Sequence, residues 1–117
     1  MRRYDIDYGD SEKLWGFAME TCQVAEDFAD ARKAHAGALK LLKMELAKAY
    51  QRNTIERKHS EEKAYLVLAK QSESCATALT ALIANEGLYK GLEKVLEARQ
   101  AALSFNQSLI KNQMRNA

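Results

Sequence analysis

Proline is absent from the 117-residue chain, while glycine occurs five times and cysteine twice. A chain without proline keeps every backbone donor and meets no ring clash, so its helices are free to run long. The two cysteines, Cys22 and Cys75, stand 53 positions apart and outside any CxxC. That spacing fits free thiols in a reducing, cytoplasmic setting better than a disulfide framework. Long apolar runs are missing as well. The longest, Ala64 to Ala69, has six residues, against the ~20 needed to cross a bilayer. The stretch Met1 to Asp10 holds three Asp and no apolar segment of the kind a secretory leader requires. Neither sign of charge dominates, since 18 basic and 16 acidic residues leave a net charge of +2. What remains is ordinary globular material: 47% of residues are hydrophobic, too many for wholesale disorder, and the length suits one domain.

Alanine, leucine, lysine, glutamate, glutamine and arginine dominate, and all are good helix formers. Strand-like alternation appears only at Tyr4-Asp5-Ile6-Asp7-Tyr8, which reads as a short edge strand or as part of an extended arm spanning residues 1–10. Residues 11–117 read as a single helical domain with helices at about 11–52, 54–84 and 88–115. The first helix begins where Asp10 or Ser11 can accept from orphan first-turn amides. Its apolar stripe runs Leu14, Phe17, Thr21, Val24, Phe28, Ala31, His35, Ala38, Leu42 and Leu46, at intervals of three and four. Cys22 and Cys75 read as small core residues. At Ala34-His35-Ala36-Gly37-Ala38 the side chains are small enough for a tight helix crossing or a bend.

Between Gln51 and Lys63 the stripe lapses, and a turn within 51–60 is expected, with an exposed continuous helix as the rival. Asn53 with Glu56, and Ser60 with Glu61 and Glu62, offer helix-start signals there. The polar patch Gln71-Ser72-Glu73-Ser74 is a candidate interruption of the second helix. Asn85-Glu86-Gly87 is the stronger turn signal by composition, because Asn and Gly tolerate the left-handed conformation at a helix end. In the last helix Leu88, Val95, Ala102 and Leu109 form one heptad row, with Tyr89, Leu96, Leu103 and Ile110 in a second beside it. Leu88, Leu92, Val95, Leu96, Leu103, Leu109 and Ile110 therefore form the expected core or oligomer seam. The fold class is all-α: an elongated helical hairpin or three-helix bundle with coiled-coil character, forming a homo-oligomer.

Charge is segregated along the chain. Residues 1–31 carry three basic and eight acidic groups, net −5, and residues 32–70 carry ten and four, net +6. Clustered Lys and Arg meet phosphates through a salt-dependent, sequence-independent attraction. The candidate contact with nucleic acid or an acidic partner is therefore Lys48, Arg52, Arg57, Lys58 and Lys63, with Arg99, Lys111 and Arg115 as a second basic face. The competing reading is a merely solvated helix surface. Glu56-x-x-His59 has the spacing of a di-iron helix, but His35 is preceded by Arg32 and supplies no second motif. No metal site, cofactor or catalytic set is expected, for there is no phosphate loop and no nucleophile elbow.

The pattern Lys63-Ala64-Tyr65-Leu66, Leu88-Tyr89-Lys90 and Leu96-x-x-Arg99-x-x-Leu103-x-x-x-Gln107-Ser108-Leu109-Ile110-Lys111 resembles small helical proteins encoded by phages and prophages. The likeness implies a cytoplasmic, non-catalytic accessory of DNA recombination or replication. Two alternatives stand beside it. One is a small inhibitor that blocks a host nucleoprotein complex or nuclease, and the other is a purely structural coiled-coil oligomer. A protein partner is expected in the first two, nucleic acid is an additional candidate, and a membrane is not.

Overall fold

The computed structural model describes residues 10–115, and only the backbone at Ile110 and 113–115. The expected arm lies outside the described residues except for Asp10. Three helices follow in order: α1 (Ser11–Gln51), α2 (Glu61–Gln71) and α3 (Glu73–Arg115). The protein is all-α, with no strand among the described residues.

Helix α1 starts where the sequence signals it. Asp10 Oδ1 accepts from the amides of Glu12 (3.1 Å) and Lys13 (3.2 Å), satisfying two of the four orphan donors. All ten stripe positions from Leu14 to Leu46 are buried or half-buried. The helix passes Gly37 without a break, and a Cβ placed there would meet nothing within 4 Å. Among the described residues no neighbour closes on Gly37 itself, while His35 and Ala38 of the small stretch are half-buried.

The turn falls inside 51–60, as the lapse in the stripe implies. Asn53 does not start a helix, however. Its φ of 57° is left-handed and ends α1, with Asn53 N–H donating to Tyr50 O and Thr54 N–H to Ala49 O. Ser60 is the true start: its Oγ accepts from Lys63 N–H at 3.4 Å. A helix over 54–84 is not observed, and neither is the turn at Asn85-Glu86-Gly87. The chain breaks instead at Ser72, in an extended conformation (φ −141°, ψ 127°). Ser72 N–H closes α2 on Leu68 O, and its Oγ accepts from Cys75 N–H to open α3. Inside α3 the Asn85 side chain donates to Ala81 O at 2.7 Å, and no glycine has a positive φ among the described residues. The expected turn is absorbed because Asn85, its strongest turn former, finds a partner inside the helix.

The chain forms two compact units, Asp30–Leu88 and Met1–Ala29 with Tyr89–Ala117. In the first, Leu42, Leu46 and Ala49 of α1 pack with Ile55 of the loop, Ala64, Tyr65 and Leu68 of α2, and Cys75 and Ala78 of α3. Each fully buried leucine contributes ~1.5–3 kcal/mol to such a core. Tyr65 O–H donates to Glu61 Oε1 at 2.7 Å. Burial, and then the Glu61 carboxylate, push the phenol well above its ordinary 10. The neutral phenol is therefore favoured in the fold. Its contribution is whole below the unfolded value near ~10 and is lost as pH rises through the raised folded value. Tyr65→Phe is expected to cost ~1 kcal/mol near neutral pH. It should also flatten the alkaline decline, as read from urea midpoints between pH ~8 and ~11. An unchanged alkaline limb would place the titrating group elsewhere.

The second unit is two helical segments, and two helices cannot enclose a large side chain on every side. Its buried residues among those described are polar, Thr21 at 6% and Asn106 at 5% exposure. Both are satisfied by their own helices, Thr21 through Phe17 O and Asn106 through Ala102 O. Phe28 meets Tyr89 edge-on at 6.4 Å between ring centroids. Leu92, Leu96, Leu103 and Leu109 of the expected seam are half-buried, but Val95 is 36% exposed. In the other unit Leu88 is 53% exposed, and the side chain of Ile110 lies outside the described residues. Among the described side chains, Tyr89, Leu96 and Leu103 of one heptad row are half-buried, and the other row is partly open. Cys75 is buried, whereas Cys22 is exposed, because the neighbouring Thr21 takes the inward position.

Candidate nucleic-acid interface

The basic residues singled out at mid-chain gather around the loop between α1 and α2. The loop is fixed at several points. Thr54 N–H and Oγ1 both donate to Ala49 O (3.0 and 3.3 Å), and Gln71 Nε2 from the far end of α2 donates to Thr54 O at 3.2 Å. Ile55 is 7% exposed and belongs to the core cluster, so the loop is pinned by an apolar anchor as well. Asn53, Thr54, Ile55, Glu56, Arg57 and Lys58 line an open hollow of about 500 Å³.

Arg52, Arg57 and Lys58 stand on this loop, all exposed, with Lys48 in the last turn of α1 and Lys63 in the first turn of α2. They are not equivalent. Lys58 Nζ pairs with Glu56 Oε2 at 3.1 Å, and Lys48 with Glu45 at 3.3 Å. These exposed pairs are worth little energy but dilute the positive field. Arg57 is held over the Tyr50 ring, 5.1 Å from guanidinium carbon to centroid. Stacking of this kind orders the guanidinium plane while leaving its edge donors for an anion. The sequence stripe gave no reason to pair Tyr50 with Arg57, since α1 ends between them and the chain turns back.

His59 Nε2 lies 3.8 Å from the same Glu56 oxygen. No group of three or more His, Cys, Asp or Glu side chains placed to hold a metal ion occurs among the described residues. The second basic face is corrected by the structure. Arg99 does not point to solvent: its side chain is 16% exposed, 4.6 Å over Phe17 and paired with Glu20 at 3.4 Å. Arginine's long apolar stem and planar head suit it to bridge two helices in this way. Lys111 is exposed, and the Arg115 side chain lies outside the described residues. Of the three, only Lys111 is shown as an exposed base.

No family model, curated protein or solved structure matches the chain. No helix among the described residues is long and apolar enough to cross a membrane.

Proposed function

We propose that this protein is a non-catalytic accessory that binds nucleic acid through the α1–α2 loop, in the setting of phage DNA recombination or replication. The observation that carries the binding surface is the pinned loop with Arg57 stacked on Tyr50 beside Arg52 and Lys58. A rigid loop loses little entropy when its cations meet phosphates, and an aromatic-backed arginine presents two donors in one plane. The phage setting is supported by the resemblance of residues 63–111. Net charge of +6 over residues 32–70 favours a polyanion over an acidic cleft ligand.

The test is retention of a labelled 20-base duplex and single strand at low salt. Three phosphate contacts imply a slope of log K against log salt of roughly −3 on the duplex. Reversal of Arg52, Arg57 and Lys58 to Glu should abolish retention, whereas reversal of Lys111 should leave it. Absence of binding at 20 mM salt would remove the reading. Equal retention of polyglutamate would transfer the loop to an acidic protein partner.

A further inference from the structure

Within the unit Asp30–Leu88 the outward side of α1 carries bases beyond those of the loop. Lys33, Ala36, Lys40, Lys43 and Ala47 follow one another at intervals of three and four, and all five are exposed. Such spacing sets them on one line along the helix. The next position on that line is Tyr50, the ring over which Arg57 is held. The lysines therefore run directly into the basic loop. Both parts belong to one compact unit, and α1 connects them without a break.

No acid stands on this line. Glu45 is the single carboxylate between Ala31 and Gln51. Two positions past Lys43, it lies about 200° round the helix, and it is paired with Lys48 at 3.3 Å. The residues among the lysines are mostly small. Ala36, Gly37 and Ala47 keep the surface low, and an open hollow of about 460 Å³ lies against Ala36, Leu39, Met44 and Ala47, with Lys40 and Lys43 on its border. Met44, 53% exposed, is the one large apolar side chain exposed at this hollow. A groove for an apolar peptide helix needs a row of such anchors. A polyanion needs cations and room for close approach instead.

The same unit discriminates between the forms of a polyanion. Tyr50 and Tyr65 are its only aromatic residues. Tyr65 is buried, and Tyr50 is half-buried beneath Arg57. No ring of this unit stands open for the base stacking on which single-strand binding draws. What α1 offers is a row of fixed length. Lys33 to Tyr50 is 17 positions, ~25 Å of helix axis, or about seven base-pair steps of a duplex at ~3.4 Å each. A duplex holds its phosphates at set intervals over that length, whereas a single strand must first be ordered.

We infer that Lys33, Lys40 and Lys43 extend the loop site along α1 and make it a site for double-stranded nucleic acid, held by its phosphates. The extension rests on the loop binding nucleic acid, and it adds a length, a strandedness and three further contacts. Six contacts imply a slope of log K against log salt of roughly −5 on a DNA duplex, where the loop's three alone imply roughly −3.

The experiment is retention by the full chain of a labelled DNA duplex of about 20 base pairs, one of its strands alone, and an RNA duplex of the same length, over about 20 to 300 mM salt. Wild type should hold the DNA duplex at least ~10-fold more tightly than the strand, with the steeper slope. Retention of either duplex above the strand supports the site, since the row meets phosphates and not sugars. Lys33→Gln, Lys40→Gln and Lys43→Gln together should return the slope to roughly −3 and weaken duplex binding at least ~10-fold at low salt. Glutamine is nearly as good a helix former as lysine and the three positions are exposed, so the urea midpoint should not move. Lys13→Gln, Lys94→Gln and Lys111→Gln together remove the same charge from exposed positions of the other unit and should leave slope and affinity as they were. A wild-type slope of roughly −3 that the α1 substitutions do not change overturns the extension and leaves the loop standing. Equal effects of the two triple variants, tighter retention of the single strand, or polyglutamate retained through the same three lysines would each overturn it as well. No retention of any oligonucleotide would instead remove the loop reading, and the extension with it.

Discussion

Leu42→Ala is expected to lower the stability of the unit Asp30–Leu88 by about 3 kcal/mol, within the range of ~2–5 kcal/mol typical of leucine truncation in a packed core. Leu42 is fully enclosed, at 0% exposure, and sits in the cluster formed by all three helices and the loop. Loss of its isobutyl group removes transfer free energy and leaves a cavity that three converging helices collapse into only partly. Against a total stability of ~5–15 kcal/mol the loss is large. In a thermal scan followed by circular dichroism it amounts to a fall of roughly 10 °C. Leu42→Met, which conserves volume, should cost less than ~1.5 kcal/mol. If both substitutions cost the same, the site is not packed as described.

Ile55→Ala is expected to cost about 2–3 kcal/mol and, unlike Leu42→Ala, to weaken oligonucleotide binding more than its effect on folding accounts for. Ile55 anchors the loop in the core cluster that includes Ala64 and Leu68, while Arg52, Arg57 and Lys58 stand on either side of it in sequence. Freed of that anchor, the loop keeps its charges but loses their fixed spacing, so each phosphate contact must then order a mobile segment. Urea unfolding gives the first quantity. Retention of the labelled duplex, measured well below the unfolding midpoint, gives the second. An affinity unchanged in a folded Ile55→Ala protein would show that charge alone, not its placement, makes the contact.

The inner face of α1 was legible because burial on one side of a helix imposes a 3.6-residue period, and ten positions from Leu14 to Leu46 obey it. The start at Asp10, the second start at Ser60 and the turn within 51–60 were legible for a related reason, since orphan amides demand particular side chains. The polar patch Gln71-Ser72-Glu73-Ser74 marked the break between α2 and α3, but composition alone ranks Asn-Glu-Gly above it. A helix interior tolerates a glycine at ~1 kcal/mol, and Asn85 finds Ala81 O without leaving the helix. Ser72 wins because one residue closes one helix and opens the next.

For the candidate interface, the bases on the loop were visible as a run of charge. Tyr50 beneath Arg57 was not, since the contact depends on how the chain turns after Gln51. Arg99 was misjudged for the converse reason. A charged residue reads as surface until the partners that bury it are known, and Phe17 and Glu20 lie on another helix.

In the two-helix unit the enclosed polar side chains, Thr21 and Asn106, spend their hydrogen bonds on their own backbones and so say nothing about longitudinal alignment. Alignment rests on Arg99, seated between Phe17 and Glu20, and on the edge-on meeting of Phe28 with Tyr89. A slide of one turn, ~5.4 Å, would unseat both at once. The pair of helices therefore behaves as a detent with a single notch, and any signal carried along it would have to travel as rotation or bending instead of as sliding.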